Sequence, residues 1–381
     1  MKKNYLAIAA LGLTAALLMM GCGKKAEETA AVQAETTAEA AGTESVEETS
    51  EAADAKTEEN AEEKASGEAE DEAASEGHYI DDTVIRVGSL KGPTTMGLVN
   101  MMADGEADKL PYQAEFTMAA AADELSAKIA SGDIDIALIP ANLAAVLYNK
   151  TEGGISVLNI NTLGVLYGVT GDESVKSLAD LKGKTVYMTG QGTTPEFAFN
   201  YILAQNGLTE DVKIEFKSEA TEIAALLKED PTKIAVLPQP FATVVQQQTP
   251  EVKEIFDLTE EWKKCPDSGN SQLVTGVTVV RNDFMKEHEA LVAEFVLEQQ
   301  ESVQRAAENL DETAELVAKY GIIEKAPIAK LALPKCSLSC ITGSEMKDAL
   351  SGYLSVLYAA NPKSVGGTLP ADGFYAFVEA K

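Results

Sequence analysis

The sequence predicts an α/β protein of two facing lobes, each built on a mainly parallel sheet. Three observations carry this. Strand, short polar loop and helix follow one another four times, at Ser89, Pro140, Gly190 and Pro238. Two of these junctions fall in an early block and two in a later block with the same internal order. With the N-terminal region set aside, roughly 300 residues remain, more than one core usually serves.

Val84–Gly88 reads as a strand, and the loop Ser89–Gly97 feeds a helix through Val99, Met101 and Met102. Tyr112–Phe116 alternates as a second strand, and Ala121–Ala130 is a helix ended by Ser131-Gly132. Asp135–Ile139 is a third strand that runs into Pro140-Ala141-Asn142 and a helix through Leu143 and Leu147. Ile155–Ile160 and Leu163–Val169 read as strands. Asp172–Leu181 is a polar helix or turn. Val212–Phe216, Glu219–Lys228 and Ile234–Leu237 give strand, helix, strand, and a helix through Val244 and Val245 follows. Leu273–Val280 is an apolar strand whose expected partner is Leu163–Val169. Helices are expected over Asp283–Glu308, Asp311–Lys319 and Met346–Tyr358, then a loop and a short docking helix.

The most informative stretch is Leu181–Leu203. Thr185–Met188 is a short strand, and Gly190 and Gly192 bracket a loop where positive φ costs little. Thr194 suits an N-cap and Pro195 a first helical position. Backbone N–H groups of Gly190, Gln191 and Gly192 are expected to face outward at a helix start, which suits an anionic or strongly polar ligand. An ordinary strand-to-helix turn explains the same residues. Neither nucleotide-loop pattern is present.

Residues 1–21 read as a signal peptide: Met-Lys-Lys, an apolar run from Leu6 to Met20, then Gly21 before Cys22. The run is short for a membrane span. Leu18-Met19-Met20-Gly21-Cys22 resembles a bacterial lipobox, which implies cleavage before Cys22 and lipid on its thiol; a plain secretory cut is the alternative. Residues 22–79 are expected to be a disordered acidic tether, because residues 24–77 lack aromatics and are rich in Ala, Glu, Thr and Ser. A spacer and an acidic interaction tail both fit that composition.

The formal net charge is −30, and loss of Lys2 and Lys3 with the signal makes it more negative. This argues against nucleic acid and anionic lipid heads as partners. With Cys22 lipidated, Cys265, Cys336 and Cys340 are an odd number for a disulfide framework. Cys336 and Cys340 flank Leu338 at strand alternation, and buried or inert thiols are expected. The chain has 2 His, neither placed for a metal site, so no cofactor or metal is expected.

Ser174-x-x-x-Leu178-x-x-Leu181-x-Gly183-Lys184-x-Val186, then Gly190–Pro195, then Leu237-Pro238-Gln239-Pro240-Phe241 resemble the type II solute-binding proteins of bacterial ABC importers. Val279–Phe284 is similar to their return strand and helix. The resemblance covers about residues 80–381 and is narrower toward the group that binds nitrate, sulfonates, taurine and thiamine-pyrimidine precursors. It implies a type II periplasmic-binding-protein-like fold with two crossing strands as hinge. The lobes are then 80–169, 170–276 and the return 277–381. It also implies capture of a small polar solute, delivery to a permease with its ATPase, no catalysis, a monomer, and a lipid-anchored position on the extracytoplasmic face. Candidate ligand contacts are Lys91, Thr94, Thr95, Met96 and Asn142 from one lobe. Gln191, Thr193, Thr194, Gln239 and Phe241 come from the other, with Tyr167 near the crossing. Glu196 departs from an anion site, since a carboxylate there repels an anion, and Gln239 stands where many relatives carry an acid. Trp262, the one Trp, is expected in lobe packing rather than as a lid.

Two rival classes remain. Enzymes of the menaquinone pathway and of pyrimidine-precursor synthesis share this architecture, and a surface sensor module needs no permease. No Gly-x-Ser-x-Gly elbow or His-Glu-x-x-His motif is present.

Overall fold

The computed structural model describes residues 79–80, 82–269 and 271–378. The readings on residues 1–21, on Cys22 and on the tether through residue 78 lie outside the described residues.

The chain opens with β1 (Val84–Leu90), α1 (Pro93–Met96), α2 (Val99–Glu106), β2 (Gln113–Ala119), α3 (Ala122–Ser131), β3 (Ile136–Pro140), α4 (Ala141–Lys150) and β4 (Ile155–Leu163). It crosses to β5 (Leu166–Thr170), then β6 (Thr185–Met188), α5 (Thr194–Gln205), β7 (Lys213–Phe216), α6 (Ala220–Glu229), β8 (Ile234–Pro238), α7 (Phe241–Gln248), β9 (Lys253–Asp257) and α8 (Leu258–Lys264). It returns through β10 (Val274–Arg281), α9 (Asn282–Glu287), α10 (Glu289–Glu308), α11 (Leu310–Lys319), α12 (Ala326–Ala332), β11 (Leu338–Ile341) and α13 (Gly343–Ala360).

Two sheets result, with strand orders β11-β4-β10-β3-β1-β2 and β7-β6-β8-β5-β9. In the first, β1 pairs parallel with β2 and β3; in the second, β6 pairs parallel with β7 and β8. An antiparallel strand follows in each: β10 against β3, and β5 against β8. The order second-first-third-crossing-fourth is therefore the same in both, and each crossing strand comes from the chain's passage between lobes. The inner parallel strands β3 and β8 are short apolar runs buried on both faces, as helix-covered sheets require, whereas the outer strands β2 and β7 carry polar residues and are partly exposed.

The expected pairing of Leu163–Val169 with Leu273–Val280 is corrected. Leu163 ends β4, the antiparallel partner of β10, whereas β5 lies in the second sheet against β8 and β9. The apolar run continues through the crossing because both halves are buried, so periodicity does not mark the change of sheet. Gly164 marks it: a Cβ there would stand 2.0 Å from Thr259 Oγ1. The second sheet thus begins at Leu166, inside the segment assigned to the first lobe.

β9, α8 and α12 were not anticipated, and the long helix expected from Asp283 is broken at His288 into α9 and α10. One apolar core runs under both sheets. It joins Ile139, Val157 and Val277 to Val186, Met188 and Val236, and it includes Phe199, Trp262 and Tyr353. Trp262 is fully buried, as its packing role requires. Its ring lies 4.7 Å from Tyr201 and 5.4 Å from Tyr353, so α8 of the second lobe is joined to α13 of the return segment. Cys265 and Cys336 are buried and Cys340 half-buried, all three as free thiols. Cys336 precedes β11 instead of alternating along it.

Candidate functional site

In sheets of this kind, ligands sit at the carboxyl ends of the parallel strands. The carboxyl ends of both sets of strands open on one cleft here, a cavity of about 630 Å³. That is within the range of roughly 300–1,000 Å³ usual for small-molecule sites. A second hollow of about 630 Å³ is lined by Ser268, Ser271 and Gln272 and by α13 residues between Ser344 and Gly352, and touches none of the strand-to-helix junctions.

Every parallel strand contributes to the cleft. From the first lobe come Leu90–Thr94 after β1, Ala120–Asp123 after β2, and Pro140 at the end of β3. From the second come Thr189–Pro195 after β6, Phe216–Thr221 after β7, and Pro238 with Phe241 after β8. Val165, Leu166 and Thr275 of the crossing segments form its base. The lining is largely apolar, with Phe216 and Phe241 as its aromatic surfaces. Its charged groups are Lys91 and Asp123 from one lobe and Lys217 and Glu219 from the other. Among the described residues, Lys91 and Asp123 have no ion-pair partner. The Lys217 ammonium stands 5.7 Å from the Tyr187 ring centroid.

The loop after β6 is held from within. Gly190 and Gly192 take φ of +82° and +74°, which side chains with a Cβ resist. Thr193 closes the turn, its N–H and hydroxyl both donating to the Gly190 carbonyl at 3.0 and 2.7 Å. The Gly192 N–H donates to Glu196 at 2.5 Å. That N–H is therefore committed, which corrects the expectation that it faces a ligand. It also gives Glu196 a role: its carboxylate serves the loop and does not line the cavity. The helix begins one residue earlier than the sequence suggests, with Thr193 instead of Thr194 as N-cap and no side-chain capping bond.

Of the sequence-derived candidates, Lys91, Thr94, Gln191, Thr193 and Phe241 line the cleft. The Thr94 hydroxyl donates to the Leu90 carbonyl at 2.8 Å, so it offers a ligand its lone pairs. The other candidates lie elsewhere. Thr95 is buried, with its hydroxyl 2.7 Å from Ser89 Oγ. Met96 packs in the core 3.8 Å from Cys336 Sγ. The Tyr167 hydroxyl points at the Lys335 carbonyl, at 3.5 Å, and burial pushes its pKa up. The buried Gln239 accepts from the Thr243 hydroxyl at 2.8 Å. Asn142 and Thr194 bond each other at 3.3 Å, away from the cavity. These side chains sit in junction sequences but face the protein, because consecutive residues entering a helix point in different directions.

The segments 120–123 and 216–221 were missed. Their strands and helices were read correctly, and the available signal was simply that each is another strand-to-helix junction. Three parallel strands per lobe make six junctions, not four.

With this geometry in view, residues 85–358 match the protein family described as menaquinone biosynthesis. The chain belongs to that family. It is 20% identical over 198 residues to a Brucella abortus protein named as a candidate binding protein, a match covering 52% of this chain and 59% of that protein. The chain thus spans less than two thirds of the length of the curated relatives it matches. In structure it is similar to an ABC transporter protein from Parabacteroides distasonis, with TM-score 0.65 and 25% identity, covering 78% of this chain and all of that one. It is also similar to the periplasmic aliphatic sulphonate binding protein of Escherichia coli, with TM-score 0.60 and 15% identity over 75% of this chain and 96% of that one. The fold is the periplasmic-binding-protein fold, and the resemblance to type II solute-binding proteins holds across both lobes.

Proposed function

We propose that this chain is the extracytoplasmic solute-binding component of an ABC importer. It takes a small organic solute into the cleft between its lobes, closes over it, and presents it to a permease and its ATPase. The carrying observation is that loops from all six parallel strands, three from each lobe, line one cavity. An apolar body would lie against Phe216 and Phe241. A polar or acidic end would meet Lys91 and Lys217, which approach from opposite lobes. Gln191 and the lone pairs of Thr94 and Thr193 would fix its orientation. The similarity to the Parabacteroides ABC transporter protein supports the same reading.

The test is native mass spectrometry of the protein purified from its own host, followed by titration calorimetry with whatever solute is retained. A chain that retains no solute, and binds none from a panel of small organic acids and amines, would sink the proposal. In the same reading Cys22 carries lipid and residues 22–79 are a tether. Cys22→Ser then moves the protein to the medium or leaves it unprocessed, and deletion of the tether leaves affinity unchanged.

The family match favours a second reading, an enzyme acting on a small organic acid in the same cleft. Incubating the purified chain with the retained solute separates the two: turnover favours the enzyme, and unchanged release of the solute favours the carrier.

A further inference from the structure

Neighbouring residues of the loop 190–194 serve two different partners. Gln191 and Thr193 line the cleft. Gly192 and Thr194, alternating with them, are held by the first lobe. Asn142 Nδ2 donates to the Gly192 carbonyl at 3.3 Å, and the Thr194 hydroxyl donates to Asn142 Oδ1 at 3.3 Å. The same Nδ2 donates to the Ser364 carbonyl at 3.1 Å. Asn142, the second residue of α4, is fully buried, as is Thr194. Two turns further along α4, Asn149 donates to the Val365 and Thr368 carbonyls at 2.9 and 2.8 Å. The segment 364–368 is therefore strapped along α4 and ends at the point where the lobes meet.

We propose that Asn142 is a positioning residue that pins the ligand loop of the second lobe to the first lobe. The stance of Gln191 and Thr193, and the closed-to-open balance of the lobes, then depend on one amide. An amide fits because the site needs a donor and an acceptor together. A carboxylate would lose the donor and bury a charge. The consequence for affinity rests on the solute-binding reading above; the pin itself does not.

The test uses the full chain carrying Cys22→Ser, with spin labels at Ala127→Cys on α3 and Ala225→Cys on α6. Both positions are exposed, on helices that follow cleft loops of opposite lobes. Cys265 and Cys336 are buried, and burial pushes the Cys340 thiol up to about 12, which keeps these three from labelling. Without any ligand, adding Asn142→Ala should lengthen and broaden the label-to-label distance. The closed-to-open ratio should fall at least about fivefold, since two neutral hydrogen bonds between the lobes are lost. An unchanged distribution overturns the proposal. If Asn142→Ala does not fold, Thr194→Val removes the hydroxyl bond to Asn142, together with the hydroxyl's contact to Tyr353, at nearly constant shape and leaves the Asn142 bond to Gly192 in place. A shift there supports the pin, and no shift overturns it. Absence of a retained solute would count against the carrier reading while leaving this result intact.

Discussion

Arg86 grips Asp135 with both its backbone and its guanidinium. The Asp135 carboxylate accepts from the Arg86 N–H and Nε at 2.9 Å each and from Nη2 at 2.6 Å. Arg281 adds a further bond to the same carboxylate at 3.1 Å. Asp135 is 1% exposed and sits at the start of β3, at the opposite end of that strand from the cleft. The network joins β1, β3 and β10, so it fixes the register of the first sheet.

Asp135→Ala should therefore destabilise the fold by about 3 kcal/mol, the scale of breaking a buried ion pair. Arg86 is partly exposed and can be hydrated, which keeps the loss from being larger. Arg86→Lys should cost less than Asp135→Ala but more than nothing, since an ammonium does not reproduce the fork. Urea unfolding gives both numbers. Equal stability of Asp135→Ala and the parent chain would show that the network is not structural.

The turn before β6 is a second test. Asp172 accepts from the Ser174 hydroxyl and N–H and pairs with Lys184 at 3.1 Å, the Lys of the Leu-x-Gly-Lys element. These bonds, the Ser174 hydroxyl first, lower its pKa to about 2. The folded pKa is below the unfolded one, so the stabilisation is present above the ordinary carboxylate value and is lost as pH falls toward 2. Asp172→Asn should be less stable than the parent at neutral pH, and the gap should close between about pH 4 and pH 2. Melting curves across that range check it; a gap independent of pH would contradict the assignment.

The join between α8 and α13 predicts a third outcome. Trp262 fills the space between Tyr201 and Tyr353 and donates from Nε1 to Ser271 Oγ at 3.0 Å. Trp262→Ala should cost roughly 3–5 kcal/mol, as truncations of buried large aromatics do. Trp262→Phe should cost clearly less, because it keeps most of the ring volume. Chemical denaturation of the two variants decides this.

Much of this was legible in the residues. The inner parallel strands β3 and β8 are short apolar runs ending in Pro-containing junctions, and that pattern survives in sequence because both their faces are buried, while the outer strands β2 and β7 show as alternation instead. The crossing at Gly164 was not legible, since buried strands on either side read as one run. β9 and α8 were hidden because Lys253–Asp257 is an exposed edge strand with charged residues, and its helix is short. For the site, the junctions were visible but the facing of their side chains was not. Asn142 and Thr194 carry polar groups suited to a ligand, yet these bond within the protein, and Gln239 is buried with its oxygen taken by Thr243. Ala120–Asp123 and Phe216–Thr221 reach the cleft with little distinctive chemistry of their own.

The last prediction concerns the two cleft lysines. Lys91 follows β1 in one lobe and Lys217 follows β7 in the other, and both line the same cavity. If an acidic group lies between them, each ammonium contributes a charge-assisted bond in a partly dry site. Removing one partner should cost roughly 1.5–3 kcal/mol, on the order of tenfold to a hundredfold in affinity. Lys91→Met and Lys217→Met keep most of each side chain's length while removing its charge. Both should weaken the same acidic solute, and the parent's affinity should fall as salt is raised. Neither lysine is in a core cluster, so the melting temperature without ligand should stay close to the parent's. Calorimetric titration of the three chains at two salt concentrations measures all of this. If only one lysine matters, the solute sits on a single lobe. If neither matters, its polar end is neutral, and Gln191 with the Thr94 and Thr193 oxygens becomes the group to substitute next.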